Sequence, residues 1–353
     1  MNNGLILAII KIMRKLKNNN KKIFVDYLII GTGSIALRHL ENIVKLSPKK
    51  KIAICRRFTQ NDDNKFINAK IDIIQNLDLV APVNNKSIAI ICSAATMHIA
   101  DAENVAKKGF NLLIEKPLTV PGVKTEKLSK ICKELKLKTL VGYNMRFTNR
   151  LKSILNILKK SQYRNIKEVE ISVETDFRKW RRNLNYKNSV SFKKELGGGV
   201  INELSHEIDY LRLLFGKPKK VTVKDISKTN SLFDIETNII AIFEYSEKYP
   251  IVRMGLNMLS KNTKRYCKVY LDNSTLTIDH MNNSLLINKS TSTQSKYYKD
   301  NLNDSYMREL KNLSDAIKSN SNTDLEFEEC LTTQYMINAM HKSLQSKKSI
   351  AIR

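Results

Sequence analysis

The amino-acid sequence predicts an α/β protein, with a doubly wound parallel sheet first and then an α+β domain with an open, largely antiparallel sheet. Three observations favour this fold. Short apolar runs alternate with amphipathic stretches up to residue 143, apolar runs of period two follow after residue 149, and 353 residues suit two domains. We expect an N-terminal extension over residues 1–22, a first domain over 23–143 and a second domain over 144–353.

The first domain is predicted from short apolar runs that are each followed by an amphipathic stretch. The expected strands are Ile23–Ile30, Ile52–Cys55, Ile71–Ile74, Ser87–Cys92, Asn111–Ile114 and Thr139–Tyr143. The expected helices are a segment with Leu37, Leu40, Ile43 and Val44 at helical spacing, His98–Lys108 and Lys124–Leu135. Strands alternating with helices connect through right-handed crossovers, which predicts a parallel sheet covered on both faces.

The second domain is predicted from strands in series, interrupted by one helix and closed by two more. The expected strands are Lys167–Glu174, Val221–Val223, Thr237–Tyr245, Ile251–Asn257, Tyr266–Leu271 and Ser274–Ile278. The expected helices are Arg150–Lys160, Val200–Phe215, Asp304–Ser319 and Phe327–Ser346. The polar segment Asn282–Ser295 is expected to be a turn and an exposed strand edge.

The net charge of +27, from 61 Lys and Arg against 34 Asp and Glu, is compatible with a nucleic-acid ligand or with a solvated basic surface. The lysines form no dominant block, and aromatic residues make up only 7%. No basic helix carries interleaved aromatic residues. We therefore expect scattered surface lysines and no nucleic-acid binding.

The five cysteines are widely spaced and contain no CxxC pair, so we expect no disulfide, no metal site and a cytoplasmic location. The apolar run Leu5–Met13 is interrupted by Lys11 and is too short to cross a membrane. Its basic cluster follows the apolar part, unlike a secretory signal. We expect residues 1–20 to be an additional amphipathic helix or a misplaced start, with a membrane-surface helix as the alternative.

A glycine motif directly follows the first predicted strand and opens the first predicted helix. Its residues are Gly31, Thr32, Gly33, Ser34, Ile35 and Ala36. A glycine at the turn, a second where pyrophosphate approaches the backbone and a small third residue for helix packing form the dinucleotide-binding fingerprint of a Rossmann domain. The helix N-terminus would then bind the phosphates, so we expect a nicotinamide dinucleotide here. A glycine-rich turn without a ligand is the alternative.

Two arginines follow the second predicted strand, where an acidic residue would bind the ribose 2′-hydroxyl of NAD. Arg56 and Arg57 stand there, and the first carboxylate comes only at Asp62. Guanidinium groups suit a 2′-phosphate, so the sequence favours NADP as the cofactor, with NAD as the alternative.

Two further sequence motifs lie downstream of the glycine motif. Glu115-Lys116-Pro117 follows a predicted strand, and Gly197-Gly198-Gly199-Val200-Ile201-Asn202-Glu203-Leu204-Ser205-His206-Glu207-Ile208-Asp209 runs from a glycine hinge into a predicted helix. Together with the glycine motif, Arg38-His39, His98 and Tyr143-Asn144-Met145-Arg146-Phe147, these residues resemble the Gfo/Idh/MocA family. That family comprises relatives of glucose–fructose oxidoreductase and inositol dehydrogenase. The resemblance covers roughly residues 23–350.

The resemblance implies a reaction and the residues that perform it. Members of the family oxidise or reduce sugars and polyols with a nicotinamide cofactor. Lys116 and His206 match the two family residues that flank the reacting carbon. Glu115 would lie against the nicotinamide ribose, and Ser93 and His98 near the centre of the cofactor. A neutral imidazole can take the hydroxyl proton, and an ammonium can stabilise the developing alkoxide. The family also implies a homo-oligomer, a dimer or tetramer, formed through the open sheet.

One position departs from the family. Many members carry an aspartate four residues before the histidine, where this chain has Asn202. Glu203 is the nearest carboxylate, and on a continuous helix both positions would neighbour His206. We favour Glu203 as the residue that orients His206, because this version of the motif resembles a bacterial branch tied to surface-sugar pathways. The alternative is that the role of the acid is reduced.

Further substrate contacts are expected from Arg146, Asn202, Asp209 and Trp180. Asp209 would follow His206 on the same helical face. Trp180, among Arg178, Arg181 and Arg182, could stack on a sugar while the arginines bind an anionic group, or the segment could be a solvated loop. His39 is expected to be a packed residue, and Lys116 and His206 are expected to be site residues.

The sequence therefore predicts an NAD(P)-dependent sugar oxidoreductase of surface-glycan synthesis. The alternative is a regulatory protein that binds the dinucleotide without catalysis, which the Asn202 departure would suit.

Overall fold

The computed structural model describes residues 22–56, 71–160, 166–180, 189–227, 233–245 and 251–353. Its first part contains the strands β1 (Ile23–Val25), β2 (Tyr27–Ile30), β3 (Ile52–Cys55), β4 (Ile71–Ile74), β5 (Val80–Pro82), β6 (Ile88–Ile91), β7 (Asn111–Ile114) and β8 (Thr139–Val141). Six of them form a parallel sheet in the order β4-β3-β2-β6-β7-β8. This is the order of a doubly wound dinucleotide-binding fold, and the predicted parallel sheet is confirmed.

The predicted strand Ile23–Ile30 was wrong as one element, because the structure interrupts it at Asp26. The Asp26 carboxylate accepts hydrogen bonds from Lys50 Nζ at 2.8 Å and from the Lys51 backbone N–H at 2.9 Å. The Asp26 N–H also donates to the Lys51 carbonyl. These contacts bend the chain, so β2 enters the large sheet while β1 pairs with β5 in a separate two-stranded parallel sheet.

The helices of this part are α1 (Ser34–Leu46), α2 (His98–Ala106) and α3 (Glu126–Glu134). Ala36, Leu40 and Ile43 of α1 are buried at one-turn spacing. This stripe packs on the sheet and leaves the N-terminus of α1 at the carboxyl end of β2.

The second part forms one nine-stranded sheet. Its strands are β9 (Ile166–Asp176), β10 (Lys220–Asp225), β11 (Asn238–Glu244), β12 (Ile251–Asn257), β13 (Leu259–Leu271), β14 (Ser274–Asp279), β15 (Ser284–Lys289), β16 (Ser292–Tyr297) and β17 (Ile350–Ala351). The order is β16-β15-β14-β13-β9-β12-β11-β10-β17. Only β9 and β12 pair in parallel, so the expected largely antiparallel sheet is confirmed, and β15 and β16 form its exposed edge.

Six helices accompany this sheet in the described chain: α4 (Asn149–Lys160), α5 (Phe177–Trp180), α6 (Val200–Glu203), α7 (Ser205–Phe215), α8 (Leu302–Ser319) and α9 (Phe327–Ser346). The predicted single helix Val200–Phe215 was wrong, because the structure divides it at Leu204 into α6 and α7.

The last two helices reach back to the first sheet. Leu310 and Leu313 of α8 and Phe327 and Cys330 of α9 belong to the apolar core of the first part. The second core lies between one face of the nine-stranded sheet and its helices. Among the described helices, none combines the length and the apolar character that a membrane crossing requires.

Candidate active site

The turn between β2 and α1 requires its first glycine. Gly31 has φ of +115°, and a Cβ atom there would lie 2.6 Å from the Cys92 carbonyl oxygen. Gly33 has no protein atom within 4 Å of an added Cβ, so it borders open space. Ala36 is 1% exposed and lets α1 pack closely. The glycine motif therefore has the local geometry that the fingerprint predicts.

The N-terminus of α1 is suited to an anion. Its first turn carries no acidic residue, and Gly33 supplies no capping side chain, so backbone N–H groups remain available. Thr32 and Ile35 are partly exposed and Ser34 is exposed at this turn. Across from it, Ser93 Oγ is buried without a hydrogen-bond partner among the described residues. These features fit a dinucleotide diphosphate, which Gly31 to Ala36 and Ser93 would hold.

Arg56 lies directly after β3, and its backbone N–H donates to the Ile74 carbonyl at 3.0 Å. The residue is buried. Arg57 lies outside the described residues. The predicted contact of these arginines with a 2′-phosphate stays a prediction.

Glu115 lies at the carboxyl end of β7 and is held by two groups. His39 Nε2 and Glu115 Oε1 are 2.8 Å apart, and the Lys116 backbone N–H donates to Glu115 Oε2 at 3.3 Å. His39 is fully buried, as the expected packed residue would be. This arrangement fixes the Glu115 carboxylate at the sheet edge where open α/β sheets bind ligands.

His98 supports the loops around the predicted cofactor site. Its Nδ1 lies 2.9 Å from the Pro117 carbonyl oxygen, and its Nε2 lies 3.0 Å from the Ser93 carbonyl oxygen. Burial lowers the pKa of the ring, although the two carbonyl groups and nearby carboxylates oppose this shift. Both ring nitrogens therefore face backbone, and His98 ties the loop after β6 to the loop after β7.

Lys116 contacts the end of α6. Its Nζ donates to the Glu203 carbonyl oxygen at 2.9 Å, and Glu203 Oε2 lies 3.8 Å from the same nitrogen. The carbonyl is available because α6 ends at Glu203, where Leu204 leaves helical geometry. Glu203 therefore pairs with Lys116. We expected Glu203 beside His206 on one continuous helix, but the break at Leu204 separates the two residues into different helices.

His206 opens α7 close to Lys116. Its ring packs edge-on against Tyr143, with 5.7 Å between ring centroids. Burial lowers its pKa well below the ordinary value, and the positive charges of Lys116 and Arg265 and the nearby His280 lower it further. The imidazole is therefore neutral at neutral pH and has one unprotonated ring nitrogen.

The residue after His206 anchors α7 to the second sheet. Arg265 of β13 donates from Nε and Nη2 to the two carboxylate oxygens of Glu207, at 2.8 and 3.1 Å. Glu207 is fully buried. Sequence reasoning missed Arg265, because one arginine among 61 basic residues carries no signal.

Asn202 is bound on both sides of its amide. Its Nδ2 donates to the Gly197 carbonyl oxygen at 3.0 Å, and its Oδ1 lies 3.1 Å from His341 Nε2. Burial lowers the pKa of His341 to about 4, so the neutral ring donates its proton to Asn202. Asn202 therefore ties the glycine hinge to α9, and His341 is a second residue that sequence reasoning missed.

Arg146 and Asp209, two expected substrate contacts, bind each other. Arg146 donates to Asp209 from Nε at 2.6 Å and from Nη2 at 2.8 Å, and Thr333 Oγ1 donates to Asp209 at 3.2 Å. Both side chains are almost fully buried, at 4% and 2% exposure. The buried pair connects the segment after β8 with α7 and α9, which favours a structural role over substrate contact.

The segment around Trp180 is only partly described. Arg178 donates to both carboxylate oxygens of Asp176, at 2.7 and 3.0 Å. Trp180 ends α5, while Arg181 and Arg182 lie outside the described residues. The predicted sugar contact of Trp180 stays a prediction.

The first part is a Rossmann domain whose glycine turn is suited to a dinucleotide diphosphate. The second part places His206 near Lys116, at the carboxyl end of β7. Together these features are typical of a nicotinamide-dependent oxidoreductase. Two family models match the chain. Residues 25–143 match the NAD-binding Rossmann fold of the oxidoreductase family, and residues 164–352 match the C-terminal alpha/beta domain of the same family. The protein belongs to the Gfo/Idh/MocA oxidoreductase family.

Individual relatives are distant. Inositol 2-dehydrogenase of Rhizobium meliloti is 20% identical over 199 residues, which are 56% of this chain and 57% of that protein. The chain thus matches little more than half the length of this curated relative.

Two solved structures share the fold over almost the whole chain. An oxidoreductase of Desulfitobacterium hafniense described as NADPH-dependent has a TM-score of 0.78 at 17% identity, covering 94% of this chain and 98% of its own. The WlbA dehydrogenase of Bordetella pertussis, in complex with NADH and UDP-GlcNAcA, has a TM-score of 0.76 at 16% identity, covering 95% and 99%.

Proposed function

We propose that this protein is an NAD(P)-dependent oxidoreductase that transfers hydride between the nicotinamide and a hydroxyl or carbonyl carbon of a sugar, nucleotide sugar or polyol. The contact that carries the proposal is the bond from Lys116 Nζ to the Glu203 carbonyl, three residues before His206. This bond joins the strand-end lysine of the cofactor domain to the helix that carries the histidine.

The two side chains have separate tasks. His206 is a neutral imidazole, so it accepts the proton of a substrate hydroxyl, and Lys116 stabilises the negative charge that develops on that oxygen. The nicotinamide, when bound, accepts or supplies the hydride. Glu203 positions Lys116 through its backbone carbonyl and carboxylate. Glu115 binds the nicotinamide ribose, and His98 supports the surrounding loops.

Two relatives support the proposed substrate class. Inositol is a polyol and UDP-GlcNAcA a nucleotide sugar, which supports a sugar-type substrate. We propose a role in surface-glycan synthesis because the motif around His206 resembles that of a bacterial branch tied to surface-sugar pathways. We propose NADP as the preferred coenzyme because Arg56 stands where an acidic residue would bind the 2′-hydroxyl of NAD.

A homo-oligomer would bury the open face of the second sheet. The neighbouring strands β11 and β12 of this sheet expose Ile240, Ile242 and Ile251, at 43%, 37% and 53%. Apolar side chains in adjacent positions on an uncovered sheet face favour association with a second copy. We propose a cytoplasmic location, in line with five buried cysteines that are all free.

The test is a panel of sugars, polyols and nucleotide sugars assayed with each coenzyme at the nicotinamide absorbance band. We expect turnover by the wild type, and a loss of about 10²-fold or more in Lys116→Ala and His206→Ala with coenzyme affinity nearly unchanged. Lys86→Ala, an exposed lysine of the first domain, is the control. Unchanged turnover in both variants would refute the assigned roles, and coenzyme binding without turnover on any substrate would favour the regulatory alternative.

A further inference from the structure

A buried carboxyl group, that of Glu309 on α8, lies beside Glu115. Glu309 and His39 are fully buried, and Glu115 is 6% exposed. One side-chain atom from each of these three residues lies within 4.8 Å of the other two. The proposed function assigns no task to Glu309.

Within the described residues, the carboxyl group of Glu309 forms no ion pair with a lysine or an arginine. Neither of its oxygens has a hydrogen-bond partner among the residues that the structure describes. Burial, together with the charge of Glu115, raises its pKa well above the ordinary value. A second carboxylate within a few ångströms, away from water, cannot ionise along with the first unless a positive charge balances it.

The neighbouring groups decide which carboxyl group carries the charge. His39 Nε2 and Glu115 Oε1 are 2.8 Å apart, so the Glu115 carboxyl group has a hydrogen-bond partner, whereas that of Glu309 has none among the described residues. Two atoms bound to one metal ion would lie about 3 Å apart or more at ordinary bond lengths, so this contact favours a proton between them. Arg38 of α1 lies over the Tyr306 ring, with 4.8 Å between its Cζ atom and the ring centroid. Of the two carboxyl groups, Glu309 is therefore the one whose buried, unpartnered position favours the neutral form.

We propose that Glu309 is a protonated acid that points its O–H toward the Glu115 carboxylate and thereby positions Glu115 for the coenzyme. A small side-chain shift or one bridging water closes the gap between the two groups. The inference rests on the proposed function, in which Glu115 binds the nicotinamide ribose.

Through this contact, a helix from outside the Rossmann segment acts on a residue of the coenzyme site. Glu309 belongs to α8, a helix that follows the nine-stranded sheet in the chain and contributes Leu310 and Leu313 to the core of the first part. Glu309 is thus a positioning residue that comes from outside the Rossmann segment. Loss of its O–H donor would leave Glu115 with one ordering contact fewer and weaken coenzyme binding.

The experiment compares Glu309→Gln, Glu309→Leu and the control Glu41→Gln, which changes an exposed glutamate of α1. Infrared difference spectra at neutral pH measure the C=O stretch of a protonated carboxylic acid, and fluorescence titration measures the dissociation constant of the coenzyme. We expect this band to diminish in both Glu309 variants and to persist in the control. The amide of Gln keeps a donor, so its coenzyme affinity stays within about threefold, while Leu weakens affinity about tenfold.

Three results would overturn the inference: an acid band unchanged in Glu309→Gln, wild-type coenzyme affinity in Glu309→Leu, or a stoichiometric metal ion that is lost in Glu309→Gln. If the Leu variant fails to fold, the spectrum of the Gln variant still decides the protonation state. Absence of coenzyme binding by the wild type would contradict the proposed function instead, and the acid band would stand.

Discussion

The buried pair of Arg146 and Asp209 gives the sharpest prediction about stability. Asp209→Asn keeps the shape of the side chain but leaves the Arg146 guanidinium without its bidentate partner, at 4% exposure. Removing one member of a buried ion pair costs about 3–5 kcal/mol. At roughly 2–4 °C for each kcal/mol in a domain of this size, the melting temperature should fall by about 6–20 °C.

Thermal and urea denaturation of wild type and variant, with and without substrate, measure this effect. Glu244→Gln is the matched control, because it removes a surface pair with Lys220 whose Nζ–Oε2 distance is 3.0 Å, and it should cost less than about 1 kcal/mol. The double variant Arg146→Met/Asp209→Leu should regain most of the lost stability, since it leaves no unpaired charge. A melting temperature within the range of the control, with a raised KM for the sugar, would refute the structural role and support substrate contact.

Further predictions concern the hinge, the coenzyme and the oligomer. Asn202→Asp should lower the free energy of unfolding by roughly 1–2 kcal/mol in urea, because it replaces the donor to the Gly197 carbonyl with an acceptor; equal stability would contradict the contact. Burial lowers the pKa of His341 from 6.5 to about 4, so on acidification the unfolded chain takes up the proton before the folded chain does. The free energy of unfolding of the wild type should therefore fall, relative to that of His341→Gln, by roughly 3 kcal/mol between pH 6.5 and pH 4. Parallel pH profiles of the two proteins would contradict this. Arg56→Ala should raise KM for NADP about tenfold and KM for NAD far less, whereas equal effects on both would argue against a 2′-phosphate contact. The proposed homo-oligomer should dissociate to monomers in Ile242→Lys, as measured by light scattering, while an oligomeric mass that the substitution leaves unchanged would place the interface elsewhere.

The sequence predicts those elements best whose signal is local. Ile52–Cys55 and Phe327–Ser346 have the predicted bounds, because an uninterrupted apolar run and a long stretch without Gly or Pro are properties of neighbouring residues. The breaks at Asp26 and Leu204 depend on partners distant in the chain. Asp26 bonds the loop around Lys50, and the end of α6 meets Lys116.

Site residues likewise divide into those that a local sequence motif marks and those that depend on partners distant in the chain. The glycine motif, Lys116 and His206 could be predicted as site residues because their residue types and order form motifs. Arg265 and His341 lie 58 and 139 residues from their partners, and no local pattern marks either of them. Glu309 looks like an ordinary helical glutamate in the sequence, and only its burial beside Glu115 indicates a task.

The most direct test of the central claim follows the hydride itself. Reduced coenzyme carrying two deuterium atoms at the nicotinamide C4 is incubated with a carbonyl sugar of the panel and the wild type, Lys116→Ala or His206→Ala, and mass spectrometry locates the label. The proposed function predicts one deuterium on the new carbinol carbon with the wild type, and a rate lower by about 10²-fold or more in each variant at coenzyme affinity within about threefold. Equal label transfer in all three proteins, or none from the wild type to any sugar, would contradict it.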